Sequence, residues 1–179
     1  MAKKVISSNP INASGEKLED EVTQIFEDYF LEDGDTVLRW KKKDPSTHPT
    51  KGGNRPEVVR GAVNFQWLKG KRSAKTDFTV WNPYKGQFLV ECRRQTVNGS
   101  VEAKLFETTI REFKCAPPNC TLLYVYDVPG ISSEYLDEVE SQFEIFRRLY
   151  NKQFRIFRTV KSFKAFISKP LDKWDLPKQ

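Results

Sequence analysis

One stretch of the sequence decides the fold: residues 76–104 read TDFTVWNPYKGQFLVECRRQTVNGSVEAK. Two short apolar runs, 78–81 and 87–90, flank the turn-forming sequence NPYKG, so the stretch predicts a β-hairpin. Asp77 opens the first strand and Glu91 follows the apolar run of the second. Because opposing residues of an antiparallel pair lie side by side, this hairpin brings the two carboxylates together.

Two adjacent carboxylates repel each other unless a cation lies between them. Mg²⁺ is the expected cation, because it is a hard ion that prefers carboxylates, water and substrate phosphate oxygens as ligands. The hairpin therefore predicts an active site that includes Asp77 and Glu91 and depends on a metal ion.

The residues around the second strand follow a known pattern. An acid, a hairpin and then Glu-x-Lys/Arg, followed by Gln and a Gly-Ser helix start, resembles the core of the PD-(D/E)xK nuclease superfamily. In this resemblance Asp77 matches the first acid, Glu91 the second, and Gln95 a Gln often found two residues further on. Arg93 stands where the family has Lys, and Thr76 where the name-giving pattern has Pro. Arginine keeps its proton at any relevant pH, so Arg93 cannot deprotonate water.

The resemblance implies hydrolysis of a phosphodiester bond. Asp77, Glu91 and the backbone carbonyl of Cys92 would hold Mg²⁺, for which Mn²⁺ can substitute, and the ion would activate water and neutralise charge developing on the phosphate. Arg93 would clamp a nonbridging oxygen, a role that suits the fixed charge of a guanidinium. Gln95 would orient water or the phosphate.

The segment before this stretch predicts a strongly amphipathic helix from Ser14-Gly15 to about Leu31. Most of its acids fit a solvated face. Glu19 lies beside the apolar stripe, and the spacing Gly15-x-x-x-Glu19 resembles the first-helix motif of the same superfamily, whose Glu points at the metal. Glu19 is therefore a candidate catalytic residue, with Glu21 as the alternative. The apolar stripe consists of Leu18, Val22, Ile25, Phe26, Tyr29 and Phe30.

Basic residues outside the motif indicate contacts with phosphate. The segment at about 41–60 is rich in Lys, Arg, Pro and Gly and predicts a long basic loop insertion, which is either a nucleic-acid clamp or a mobile segment. Residues 62–68 predict a strand that leads to a basic turn near Asp77. Lys and Arg that neutralise the phosphate backbone of the nucleic acid supply most of the affinity in nucleic-acid-binding proteins. The predicted nucleic-acid contacts are Lys69, Lys71, Arg72, Lys75 and Arg94.

A helix is predicted after the hairpin, capped by Ser100 and ending near Lys114. In members of the superfamily that lack the strand Lys, a basic residue of this helix can occupy the same space. Lys104, one turn into the helix, is therefore a candidate for the role that Arg93 cannot fill, against the alternative of an exposed helical lysine. The residues expected to face inward are Val101, Leu105, Phe106 and Ile110.

The rest of the chain completes an α/β pattern. Residues 121–127, TLLYVYD, form the nearly continuous apolar run of a buried central strand. A helix from about residue 132, a strand at 154–158 and a short helix at 162–167 follow. This order of elements is that of the restriction-endonuclease-like α/β core, a mixed central sheet flanked by helices. We expect a single domain over residues 1–179.

Composition limits the classes of function. The net charge of +6, with 30 Lys and Arg among many aromatic residues, favours nucleic acid over a membrane as the partner. The 3 Cys residues form no CxxC pair and there is 1 His, which argues against a disulfide framework or a zinc site. No apolar run could span a membrane and the N-terminus lacks the core of a signal peptide. We expect a soluble intracellular protein, in the cytoplasm or nucleoid, and leave a homodimer open.

These features predict a metal-dependent DNA endonuclease of restriction, homing, phage or repair type that acts on double-stranded DNA. One alternative is a nuclease-fold protein that binds nucleic acid and has lost activity through the change at Arg93. The other is an accessory subunit that binds protein. Asp77, Glu91, Gln95 and Lys104 together favour an active enzyme, because an inactive site gains nothing from acids that repel each other without metal.

Overall fold

The computed structural model describes residues 10–41, 44, 53–67, 72–94, 109–129 and 131–175. The helices are α1 (Pro10–Tyr29), α2 (109–115), α3 (Ser133–Tyr150) and α4 (Val160–Ile167), with a 3₁₀ turn at Leu171–Lys173. The strands are β1 (Leu38–Arg39), β2 (Glu57–Arg60), β3 (Val63–Trp67), β4 (Arg72–Lys75), β5 (Phe78–Asn82), β6 (Gly86–Arg94), β7 (Cys120–Asp127) and β8 (Gln153–Phe157). Within those residues no helix has the length and hydropathy that a bilayer span requires.

Six strands form one mixed sheet in the order β1-β2-β5-β6-β7-β8. β2, β5 and β6 are antiparallel neighbours, whereas β6, β7 and β8 run parallel. α1 and α4 pack on one face of the sheet, and α2 and α3 pack on the other. This arrangement confirms the predicted α/β class with a mixed central sheet flanked by helices.

The predicted hairpin is present as β5 and β6. Its turn begins at Asn82, whose side-chain oxygen accepts a hydrogen bond from the backbone N–H of Tyr84 at 2.9 Å. The turn ends at Gly86, whose φ of 87° is a conformation that favours glycine. β6 then runs for 9 residues through the middle of the sheet, which places its last residues beside the start of β5.

The helix α1 buries most of the apolar stripe that its sequence predicts. Leu18, Val22 and Phe26 are fully buried, and the ring of Phe26 packs 5.5 Å from that of Phe78 on β5. Tyr29 is the exception, because 43% of it is exposed at the end of the helix. α1 therefore docks on the sheet through one face and presents its acidic residues along the edges of that face.

The strand β7 is buried on both faces, as predicted for a central strand. Leu123 and Val125 face the cluster under α1, whereas Tyr124 and Tyr126 face the cluster under α3. The ring of Tyr124 lies 5.1 Å from that of Phe143 on α3. The side chains of β6 alternate in the same way. Val90 and Cys92 face α1, whereas Leu89 and every second residue after it face α2 and α3.

The prediction of a basic loop at 41–60 is wrong for the last four residues of that segment. Residues Glu57–Arg60 form β2, in which Val58 and Val59 are buried and pair with β5. A four-residue strand directly after Pro56 gives too little periodicity to be recognised in the sequence.

The predicted strand at 62–68 is present as β3, but it lies outside the main sheet. β3 pairs with β4 in a separate two-stranded sheet, and the sequence did not predict β4. The chain leaves β2 at Gly61, whose φ is 73° and whose N–H donates to the carbonyl of Asp77 at 2.8 Å. The β3–β4 ribbon thus starts and ends beside Asp77.

Candidate catalytic site

Adjacent strand ends bring the two predicted acids together. Phe78 pairs with Val90 in the β5–β6 hairpin, so Asp77 and Glu91 take the next opposing positions. The backbone N–H of Cys92 donates a hydrogen bond to the Asp77 carboxylate at 2.7 Å. This bond fixes the Asp77 side chain against β6, next to Glu91.

The guanidinium of Arg93 contacts all three groups that the family resemblance assigns to the metal. Its Nη1 lies 3.6 Å from Oδ2 of Asp77 and donates to the carbonyl of Cys92 at 2.9 Å. Its Nη2 donates to Oε1 of Glu91. Arg93 therefore provides the positive charge between the two acids in this structure.

Burial shifts the proton equilibria of both acids upward. Loss of water raises the pKa of Asp77 to about 8, and the charge of Glu91 adds to this effect. Loss of water likewise raises the pKa of Glu91 to about 8, with a further contribution from Glu112. The charge of Arg93 lowers both pKa values, but one guanidinium does not compensate for the burial of two carboxyls.

Glu112 is a third acid of the site, buried like Glu91, which the sequence did not predict. It belongs to α2, is 2% exposed, and its Oε1 has no hydrogen-bond partner. Burial raises the pKa of Glu112 to about 7, and the nearby charge of Arg93 lowers it. Glu112 therefore adds a third negative charge to the same cluster when it is ionised.

The face of α2 explains why Glu112 was missed. Ile110, predicted to face inward, is 38% exposed, whereas Thr109, Glu112 and Phe113 are buried. The ring of Phe113 inserts among the aromatic side chains of α3, β7 and β8, and this packing sets the rotation of the helix. The spacing of Thr109, Glu112, Phe113 and Ala116, at intervals of three, four and seven, is the sequence signal that could have found this face.

Glu19 lies at the border of the site. Its carboxylate pairs with Arg60 at the end of β2, with Nη2–Oε2 at 2.9 Å. The charge of Glu19 is the smallest of the causes that raise the pKa of Asp77, after burial and Glu91. The structure thus brings Glu19 near the acids, while Arg60 holds its side chain.

Arg94 is held within the protein. Its guanidinium donates two hydrogen bonds to Glu21, at 3.0 and 2.8 Å, and one to Asp127 at 2.7 Å. These bonds join β6 to α1 and to the end of β7. Arg94, predicted to contact nucleic acid, and Glu21, the alternative to Glu19, are therefore partners of each other.

Of the remaining predicted site residues, the structure describes Lys75 and Arg72. Lys75 is exposed, and its Nζ lies 5.7 Å from the centroid of the Trp40 ring. Arg72 occupies β4, in register with Trp67 of β3. Gln95, Lys104, Lys69 and Lys71 lie outside the described residues.

The oxygen atoms at the site fit a hard divalent cation. They comprise two carboxylates and the Cys92 carbonyl, and Oε2 of Glu91 is buried without a hydrogen-bond partner. Across the described ranges, no group of three or more acidic, His or Cys side chains is placed to hold a metal ion. The protein would thus offer two side chains and one carbonyl, which suits Mg²⁺, an ion that keeps several waters. Arg93 contacts the same oxygens, so it has to move for an ion to bind.

Comparison of the chain with protein-family models, curated proteins and solved structures finds no match. The resemblance to the PD-(D/E)xK superfamily therefore stays a prediction. A fold alone does not define an activity, so the function of this protein depends on the geometry and charge of its site.

Proposed function

We propose that this protein is a Mg²⁺-dependent DNA endonuclease with a restriction-endonuclease-like core. The observation that carries the proposal is the charge of the site, where the guanidinium of Arg93 contacts the half-buried Asp77 and the buried Glu91, and the buried Glu112 is near enough for its charge to act on Arg93. When all three are ionised, a divalent cation would balance the remaining charge. Paired carboxylates that bind Mg²⁺ are a common solution for phosphodiester hydrolysis, and the net charge of +6 suits a polyanionic substrate.

The order of the elements supports the fold in this proposal. The helix α1 precedes an antiparallel hairpin whose two strands carry Asp77 and Glu91. The parallel strands β7 and β8 extend the sheet from β6, with α2 before β7 and α3 between β7 and β8. This order is similar to the one that the resemblance implies, with two additions: β1 before β2, and the β3–β4 ribbon between β2 and β5.

Each residue has a defined task in the proposed reaction. Asp77, Glu91 and the Cys92 carbonyl would hold Mg²⁺, which supplies a Lewis acid for the phosphate and lowers the pKa of bound water. The Cys92 N–H holds the Asp77 carboxylate in place. The Arg93 side chain is 34% exposed, so it can turn from these oxygens toward a nonbridging phosphate oxygen. It keeps its charge there at any working pH.

A second candidate is a nuclease-fold protein that binds nucleic acid without cleaving it. One observation favours it: the guanidinium of Arg93 contacts Asp77, Glu91 and the Cys92 carbonyl together. Such a guanidinium can replace a metal ion as the charge that holds two acids side by side. In this case the site would be stable without metal and would have no Lewis acid.

A cleavage assay separates the two candidates. Supercoiled plasmid and linear duplex DNA are incubated with Mg²⁺, Mn²⁺ or EDTA, using the parent protein and the variants Asp77→Asn and Glu91→Gln. We expect cleavage with Mg²⁺ or Mn²⁺ only, and a loss of about 10²-fold or more in each variant, with DNA binding in EDTA largely retained. Glu138→Gln, an exposed acid on α3, is the matched control and should cleave like the parent.

Two results would contradict the proposed activity. Full activity of either acid variant would show that the metal site lies elsewhere in the chain. DNA binding without cleavage under every metal condition would favour the second candidate.

A further inference from the structure

A groove beside the candidate site contains an aromatic ring that the proposed reaction does not use. It has a volume of about 530 Å³ and lies between α1, β1 and the ends of β2 and β4. It is lined by Trp40 and Gly61, by the basic residues Arg39, Arg60 and Lys75, and by the acidic residues Glu16, Glu19 and Asp20. Glu19 borders both regions, since its charge also acts on Asp77.

Trp40 stands in line with the catalytic acids across the strand ends. Its backbone N–H donates to the carbonyl of Arg60 at 3.0 Å, and the next residue, Gly61, donates to the carbonyl of Asp77 at 2.8 Å. Neighbouring strands lie about 4.8 Å apart, so two strand spacings place the Trp40 backbone roughly 10 Å from that of Asp77. This separation corresponds to about two or three nucleotide steps of a stacked strand, at about 3.4 Å per step.

The groove combines an aromatic ring with three basic residues, whose charge three acidic residues of the lining balance. Nζ of Lys75 lies 5.7 Å from the centroid of the half-buried Trp40 ring, and Arg39 is an exposed neighbour on β1. Arg60 pairs with both Glu19 and Asp20, which partly neutralises these two acids. Aromatic rings that stack bases, next to Lys or Arg that contact phosphate, are the usual means of binding a single nucleic-acid strand.

We propose that Trp40 stacks an unpaired base of the substrate, about two or three nucleotides from the scissile phosphate, while Lys75 and Arg39 contact the backbone. The proposal rests on the proposed nuclease function and specifies its substrate. A base inside a duplex is stacked between its neighbours and is accessible to Trp40 only when it is unpaired or flipped out. The preferred substrate is therefore DNA with a single-stranded or unpaired segment next to the cleavage site, in place of the continuous duplex expected from the sequence.

Equilibrium binding in EDTA tests this inference without cleavage. Fluorescence anisotropy measures the affinity for three DNAs of one sequence: a single strand, a duplex with an internal bubble, and a perfect duplex. Trp40→Ala should lose roughly tenfold or more in affinity for the single strand and the bubble, with little change for the perfect duplex. Trp40→Phe keeps a ring and should retain most of the affinity. A 2-aminopurine base in the bubble should be quenched by the parent protein and less by Trp40→Ala.

Tyr84→Ala is the matched control, because Tyr84 is a 69% exposed aromatic residue in the β5–β6 turn, at the other end of those strands from Asp77. It should bind all three DNAs like the parent. Parental affinity of Trp40→Ala for the single strand and bubble, or an equal loss for all three DNAs, would overturn the stacking role and leave the nuclease proposal intact. Cleavage that persists in Asp77→Asn would contradict the nuclease site and leave the binding result unaffected. No binding of the parent protein to any of the three DNAs would overturn both proposals.

Discussion

Arg93 is the residue on which the chemistry of the site depends most. Its guanidinium contacts the carboxylates of Asp77 and Glu91 and the Cys92 carbonyl, and these same oxygens would bind the metal ion. A guanidinium and Mg²⁺ are both cations, so they repel each other and compete for one set of oxygens. Arg93 thus has two opposing effects, since it stabilises the acids without metal and weakens metal binding.

The first prediction separates these two effects. Arg93→Gln should bind Mg²⁺ at least about tenfold more tightly than the parent, because the variant lacks one positive charge beside the ion and leaves its ligands unoccupied. The rate of cleavage by the same variant should nevertheless fall, because glutamine lacks the positive charge with which Arg93 would stabilise the phosphate. Isothermal titration with Mg²⁺ measures the affinity, and the plasmid assay measures cleavage.

Two further variants complete this test. Arg148→Gln removes an exposed arginine on α3 and should leave Mg²⁺ affinity unchanged. If catalysis needs only a positive charge near the phosphate, Arg93→Lys should retain cleavage. In that case Lys104→Ala should lower the rate of cleavage less than Arg93→Ala does. Unchanged or weaker Mg²⁺ binding by Arg93→Gln would show that Arg93 does not compete with the ion.

One arginine connects the helix and strands that surround the site. Arg94 bonds to Glu21 of α1 and to Asp127 of β7, directly after Arg93 on β6. The side chain of Arg94 is 14% exposed, so these ion pairs are partly protected from water and salt. They hold α1, and with it Glu19, beside the end of β6.

The second prediction concerns this connection. Arg94→Ala leaves two acids near each other without their partner and should lower the free energy of unfolding by about 1–3 kcal/mol, between the values typical of surface and buried pairs. Arg158→Ala is the matched control, because Arg158 also pairs with two acids, Asp137 and Glu140, but at the surface. Arg158→Ala should lower the free energy of unfolding by no more than about 1 kcal/mol. Urea unfolding at neutral pH measures both.

DNA binding by Arg94→Ala decides between the two roles of this residue. A structural role predicts lower stability with an unchanged salt dependence of binding. A phosphate contact predicts parental stability and a salt slope reduced by roughly one unit. The second outcome would contradict the structural role.

The elements differ in how well the sequence predicts them. α1, the β5–β6 hairpin and β7 were predicted because each has a long apolar pattern or strong turn residues. β2 and β4 were missed because four-residue strands have almost no periodicity. The inward face of α2 was assigned wrongly at Ile110, since several apolar residues of that helix compete for the core and packing decides between them.

The acids of the site make the stability of the folded protein depend on pH. The pKa values of Asp77 and Glu91 are raised to about 8, and that of Glu112 to about 7, in each case chiefly by burial. A carboxyl whose pKa is higher in the folded state binds protons on folding. Its contribution to stability is complete below its unfolded pKa, at about pH 4, and is lost as the pH rises through 7 to 8. The metal-free protein should therefore lose stability over this range.

The third prediction uses Glu112, which is not one of the proposed metal ligands. Glu112→Gln keeps the shape of the side chain and removes one buried charge, so stability should decline less between about pH 5 and about pH 8.5. The difference between variant and parent should change by on the order of 3 kcal/mol across that range. Urea unfolding in EDTA, followed by tryptophan fluorescence, gives the free energy at each pH. Glu138→Gln should match the parent, and a decline in Glu112→Gln as steep as in the parent would contradict a buried, charge-bearing Glu112.

The α/β class, the hairpin and the pairing of Asp77 with Glu91 could be predicted from the amino-acid sequence. These features depend on local patterns: the period of apolar residues, the turn residues at 82–86 and the register of one hairpin. Strands that are adjacent in the chain are adjacent in space, so their acids could be placed without knowledge of the rest of the molecule.

Which charges meet at the site depends on long-range packing. Arg93 and Arg94 are neighbours in the sequence, yet strand alternation sends Arg93 to the acids, while Arg94 bonds to Glu21 and Asp127. Glu112 on α2 and Trp40 directly after β1 lie near the site in space, although both are far from residues 77–95 in the sequence. Long-range packing brings such groups together, and no local pattern records it, because their spacing in the sequence is unrelated to their distance in space.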